Sequence, residues 1–195
     1  MASLHLRPFA RSAALRRWLP LIVLIGVTSF SADARTAPPV AEYQVKAAYL
    51  FNFGQFVEWP AQAYDSPSAP FVIGVVGEDP FGNTLDKVIA GESLGGRPLV
   101  VRRFRNIEDI SACNILFIGR SEAGRLDQTL KAMKGRSVLT VTDITGAERR
   151  GAIIVLVNDN NRIRMRINVA AAKASNLVIS SKLLRPAEVV GNDGG

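Results

Sequence analysis

FVIGVVGEDPFG, residues 71–82, is the stretch on which the fold class turns. Phe71 to Val76 is an unbroken apolar run of strand length, and a strand without polar alternation suits a parallel sheet covered on both faces. Gly77 interrupts the run. Asp79 and Pro80 then supply the N-cap and first-position preferences of a helix, which is expected over Phe81 to Ala90. Strand, turn and helix in that order form the repeating unit of an α/β protein. The turn also stands where such proteins bind phosphates. It is a poor nucleotide loop, because Asn83-Thr84 occupy the place of Lys-Ser/Thr and the acidic Glu78 and Asp79 would repel an anion, so a capped turn is the reading preferred.

Downstream the unit recurs. Gly91, Gly95 and Gly96 turn the chain into a strand over Leu99 to Phe104, a short helical connection is expected at Ile107 to Ala112, and Asn114 to Ile118 reads as a third strand. A helix from Ser121 to about Met133 buries Leu126 and Leu130, four residues apart. Ser137 to Thr142 is a fourth strand, and Asp143 is positioned to cap a turn or short helix to Arg150. Ala152 to Val157 and Arg162 to Val169 are joined by Asn158-Asp159-Asn160-Asn161, a four-residue hairpin loop, so this pair is antiparallel. Asn168 can cap a helix over Ala170 to Ala174, before a second apolar patch from Leu177 to Val190. Four strands alternating with helices predict one α/β domain, a three-layer α/β/α sandwich whose mostly parallel sheet ends in a C-terminal antiparallel hairpin.

Upstream, VKAAYLFNFGQFVEWP, residues 45–60, holds five aromatic residues. Its polar residues Lys46, Asn52, Gln55 and Glu58 do not gather on one side of a helical wheel, which predicts a helix enclosed by other structure and stopped by Pro60. The plain reading is a core helix; the sharper one makes part of it, around Asn52 and Glu58-Trp59, a contact surface. Before it, Arg7, Arg11, Arg16 and Arg17 precede an apolar run from Trp18 to Val27 and the small-x-small triplet Ala32-Asp33-Ala34. That is the pattern of a secretory signal peptide over residues 1–34, with residues 35–195 as the exported chain. The run is short of the roughly 20 residues of a membrane span, and an uncleaved anchor is the alternative.

Four arginines and one aspartate of the +7 net charge lie before residue 35. The remaining basic excess is mild and dispersed, which gives no indication of nucleic-acid binding. The only histidine, His5, is in the signal region, so the exported chain is without the residue on which Ser-His-Asp and Cys-His catalysis and His-containing zinc sites depend. No cofactor is called for. Cys113, the only cysteine, opens a run that reads as a buried strand, and an inert thiol is expected rather than an intermolecular bridge. Arg162, Arg164 and Arg166 alternate with Ile163, Met165 and Ile167, so the guanidinium groups project from one strand face. Either internal partners such as Glu148 or Asp159, or plain solvation, account for them, or a small anionic ligand or acidic partner surface lies over them.

Taken together, VKAAYLFNFGQFVEWP (45–60), IGVVGEDPFG (73–82), GRPLVVRRF (96–104), CNILFIGRSE (113–122), SVLTVTD (137–143), GAIIVLV (151–157) and RIRMRINVAAAKASNLVISSKLLR (162–185) resemble the exported bacterial proteins of the YfiR type. The first and last blocks are the specific ones. The resemblance implies a non-catalytic periplasmic repressor that binds the periplasmic sensory domain of a membrane-anchored diguanylate cyclase, lowers cyclic-di-GMP signalling and biofilm output, and is sequestered by an outer-membrane lipoprotein. It also implies a homodimer and small-molecule ligands. From it Arg162, Arg164, Arg166 and Lys173 are nominated as ligand or partner residues, and Leu177, Ile179, Leu183 and Leu184 with Asn52, Glu58 and Trp59 as partner surfaces. YfiR-type cysteine pairs have only Cys113 as a counterpart, which sets aside redox control by an internal disulfide. An exported small-ligand-binding protein reporting to another membrane sensor, such as a histidine kinase, is the other reading.

Overall fold

The structure, a computed structural model, describes residues 39–191 apart from Ser111. The expected signal peptide, the lead to residue 38 and the Gly-rich tail fall outside these residues. β2 (Phe71–Val76), β4 (Arg97–Phe104), β5 (Ile115–Ile118), β6 (Leu139–Thr142) and β7 (Ile154–Asp159) lie parallel in the order β7-β6-β5-β2-β4. β8 (Arg162–Asn168) adds antiparallel to β7, and β10 (Glu188–Val190) parallel to β8, while β3 (Ser93–Leu94) folds back on β4 at the other edge. The result is an eight-stranded mixed sheet among the described residues.

Alternation along β2 explains why FVIGVV contains no polar residue. Phe71, Ile73 and Val75 enter one core with Ala47, Leu50 and Phe53 of α1 (Pro39–Phe56) and Leu85 and Ile89 of α2 (Thr84–Ile89). Val72 and Val76 enter a second core with Leu126 and Met133 of α3 (Leu126–Met133). Both faces are therefore dry, and the three-layer arrangement follows. Gly74 is required where the sheet is tightest, because a Cβ there would stand 2.8 Å from the Phe104 ring.

Several expected boundaries move. α1 ends at Phe56 rather than at Pro60, because β1 (Val57–Glu58) is drawn into an antiparallel ladder with β9 (Val178–Ile179). The helix is also wetter than its wheel suggested: Ala41, Gln44, Val45, Ala48, Asn52 and Gln55 form an exposed stripe at helical spacing. Three of those six are apolar, so polarity alone could not outline that face. Asp79 does not start a helix directly. Its carboxylate accepts from the Phe81 N–H at 2.8 Å and from Arg103 Nε at 2.6 Å, which closes a turn, and α2 begins only at Thr84. Residues 120–125 form 3₁₀ turns before α3.

The hairpin is tighter than the predicted four-residue loop. Asp159 pairs with Arg162, which leaves only Asn160 and Asn161 in the turn, at φ 51° and 62°, left-handed values that asparagine tolerates. Asn168 caps α4 (Val169–Ala174) as expected, accepting from the Ala171 N–H at 2.8 Å. α5 (Ser181–Leu184) then leads into β10.

Candidate functional site

The densest polar arrangement lies at the carboxyl ends of β5, β6 and β7, the edge at which open α/β sheets usually bind ligands. Asp143 immediately follows β6, Arg120 follows β5 by two residues, and Asn158 is near the end of β7. Onto them α1 lowers Glu42, Tyr43 and Lys46. Lys46 is fully buried and reaches Asp143 Oδ2 at 2.6 Å while also pairing with Glu42 one turn earlier. Tyr43 donates its hydroxyl to the same Asp143 oxygen at 2.8 Å, Arg120 Nε lies 3.2 Å from it, and Asn158 donates to Glu42 at 2.6 Å. Two cations thus face two carboxylates, and the charges balance without solvent. Asp143 Oδ1 is buried and accepts nothing from the described residues.

Chemically this network fastens the first helix across three strands. It corrects the expectation that Asp143 caps the turn leading to Arg150. Burial alone would raise the Glu42 carboxyl, but the hydrogen bonds from Lys46 and Asn158, with the charges of Lys46 and Arg120, bring it below its ordinary 4.5. A depressed carboxyl contributes stability that is complete above its unfolded value and is lost as pH falls through its folded value. Unfolding followed from about pH 6 to about pH 3 should therefore show a steeper acid loss for the wild type than for Glu42→Gln; identical slopes would remove Glu42 from the network. Burial and the Asp143 contact push the Tyr43 phenol well above its usual range, so it remains a hydrogen-bond donor throughout.

The residues nominated from sequence fall into three places. Asn52 of α1, Arg164 of β8 and Leu183 of α5 meet around a cavity of about 310 Å³ that Tyr49, Phe56, Ile163, Met165, Lys182 and Pro186 complete. Arg166 pairs with Glu188 at 3.0 Å and lies 3.5 Å from the buried Glu148, and Arg164 pairs with Asp159 at 2.7 Å. These are the internal partners the sequence allowed for. The Arg162 side chain is exposed and has no hydrogen-bond or ion-pair partner among the described residues. Lys173 is exposed on α4 and is not brought to the arginines. Trp59 donates to the Asn114 carbonyl at 3.2 Å and packs edge-on against Phe71, whereas its neighbour Glu58 is exposed. Leu177 and Leu183 are in the core, and Leu184 and Ile179 are half-buried against it. The C-terminal apolar patch is thus mainly an internal seam that packs against α1.

A second cleft, of about 590 Å³, lies below the starts of β6 and β7, where Leu130, Met133, Ile153, Ala171 and Ala174 form an apolar floor beside Lys131 and Lys134. Cys113 is buried beside Gly74 and Leu116, and burial pushes its thiol up to about 11. At neutral pH it should resist iodoacetamide in the native protein and react once urea unfolds the chain. Prompt native labelling would show that the strand edge at Cys113 opens.

Sequence reasoning passed over Lys46, Tyr43 and Arg120 as functional or structural anchors. The one local signal was Glu42 and Lys46 at a spacing of four in an otherwise aromatic helix.

The described residues thus form a three-layer α/β domain whose strand-end crevice is filled by its own first helix, with cavities at the hairpin edge and beneath the sheet. The chain belongs to the family described as "DUF4154: YfiR/HmsC-like", which matches residues 43–188 and so bears out the resemblance drawn from the sequence blocks. No curated protein matches in sequence. Among solved structures, a conserved domain protein from Vibrio cholerae O1 biovar El Tor str. N16961 superposes with a TM-score of 0.48 at 15% identity, over 75% of this chain and 59% of that one. The chain therefore spans less than two thirds of that structure's length, and likeness at this level carries no functional argument. No helix among the described residues is long and apolar enough to cross a membrane.

Proposed function

We propose that this chain is a periplasmic regulator that represses an inner-membrane diguanylate cyclase by binding its periplasmic sensory domain, without catalysis of its own. The observation that carries the reading is the family match over residues 43–188, nearly the whole described domain. On this reading residues 1–34 are a cleaved signal peptide, the protein acts as a homodimer, and an outer-membrane lipoprotein removes it from the cyclase. Repression is then an equilibrium: the regulator holds the cyclase off to the extent that it prefers the inactive state. The groove formed by Asn52, Arg164 and Leu183, with the exposed stripe of α1 beside it, is the surface that fits such a contact. Deleting the gene should raise cyclic-di-GMP, and a copy lacking residues 1–34 should fail to restore repression. Unchanged cyclic-di-GMP in a strain that expresses the cyclase would overturn the proposal.

The cleft of about 590 Å³ favours a second reading, an exported small-ligand-binding protein that reports to another membrane sensor such as a histidine kinase. Calorimetric binding of a small anionic ligand that is lost on Ala174→Trp, with cyclic-di-GMP unaffected by deletion, would select it.

A further inference from the structure

The edge of the sheet at β8 is open. β10 covers β8 only at Arg166, Ile167 and Asn168, and among the described residues no strand lies on the outer side of Arg162 to Met165. The reason lies in the chain's own path. It approaches from α5 through Pro186, which has no N–H to continue the ladder. Asn168 donates its N–H to the Ile153 carbonyl on the β7 side, and backbone groups alternate along a strand. The N–H and C=O of Ile163 and the N–H of Met165 therefore point outward beyond the start of β10, whose pairing of Glu188 with Arg166 takes up only the Met165 C=O. An unpaired edge of this kind is a template for another strand.

We infer that the β8 edge receives an extended segment of a partner protein, one whose side chains alternate between apolar and acidic. The inference rests on the reading that the chain works by binding another protein, and does not depend on which protein that is. Side chains of an added strand alternate between the two faces of the sheet. Those on the helix face fall into the cavity among Tyr49, Phe56 and Leu183. Those on the other face run beside Arg162 and Arg164; the Arg162 side chain has no hydrogen-bond or ion-pair partner among the described residues, and Arg164 has only the half-exposed Asp159. Lys182, at the cavity, adds a further positive charge. A second copy of this chain suits the edge badly, because edge-to-edge pairing would set the arginine rows of the two copies against each other, and like charges directly opposed destabilise a ladder.

Selection of random linear peptides on the purified protein tests this. Enriched peptides should show acidic residues alternating with apolar ones and should bind saturably. Ile163→Pro removes an outward N–H that β7 does not use, and should weaken them at least tenfold with the melting temperature retained. Arg162→Glu should weaken them similarly, and peptides with lysine in place of the acidic residues should then prefer the variant over the wild type. The inference falls if no peptide is enriched, if enriched peptides ignore the alternation, if both variants bind as the wild type does, or if sedimentation shows copies of the chain paired through this edge. A rise in cyclic-di-GMP on gene deletion together with any of those failures would leave the proposed repression standing and remove only this mode of contact.

Discussion

Lys46→Met should lower unfolding stability by about 3 kcal/mol or more in urea titration, because removing one partner of a buried ion pair leaves an uncompensated charge. Asp143, buried beside it, would retain Arg120, but that guanidinium is more than half exposed and lies 3.2 Å away, and the closer contact at 2.6 Å would be gone. Glu42 would lose the cation one turn along its own helix. The comparison that isolates the pair is the double variant Lys46→Met with Asp143→Leu. Its loss should be smaller than the sum of the two single losses, since both buried charges leave together and the remaining carboxylate, Glu42, keeps Asn158 and Arg120. A typical domain has only about 5–15 kcal/mol in all, so the single variant should populate unfolded chain under mild denaturant. A loss below about 1 kcal/mol would mean that water reaches Lys46 and that the helix is not fastened there.

That network also marks where sequence reading stopped being sufficient. The sheet was legible because its signal is local: FVIGVV, ILFI and AIIVLV are apolar without alternation, and apart from the half-buried Val157 each residue is buried where the structure places it. Asn168 as an N-cap was legible for the same reason. The partner of Lys46 is 97 residues away and the hydroxyl of Tyr43 reaches across 100, and no window of sequence contains both ends. The scatter of polar residues around the helix therefore pointed to enclosure, which holds for the fully buried Lys46, without indicating what would pair with it. The exposed stripe of α1 runs against that expectation, because Ala41, Val45 and Ala48 are apolar yet face water. Of the candidate site, the arginine alternation and the hairpin were visible in advance. What could not be seen was that β10 stops short at Arg166, since that depends on how α5 delivers Pro186 to the edge.

Phe53→Ala and Asn52→Ala should differ more than any other adjacent pair in the first helix. Phe53 is fully buried, stacks on Tyr49 at 5.9 Å and belongs to the core beneath the sheet, so truncating it should cost about 3–5 kcal/mol through lost transfer energy and the cavity left behind. Asn52 is exposed at the mouth of the groove, and its truncation should change stability by no more than about 0.5 kcal/mol. One residue along a helix is a rotation of about 100°, enough to pass from core to solvent. If Asn52→Ala also costs several kcal/mol, the amide is buried and hydrogen-bonded. The stripe running from Ala41 to Gln55 would then not face water, and the groove would lose the wall that α1 provides. If only Phe53→Ala is costly, the boundary between the buried and the free side of this helix runs between residues 52 and 53, and Asn52→Ala becomes a clean probe of partner binding at unchanged stability.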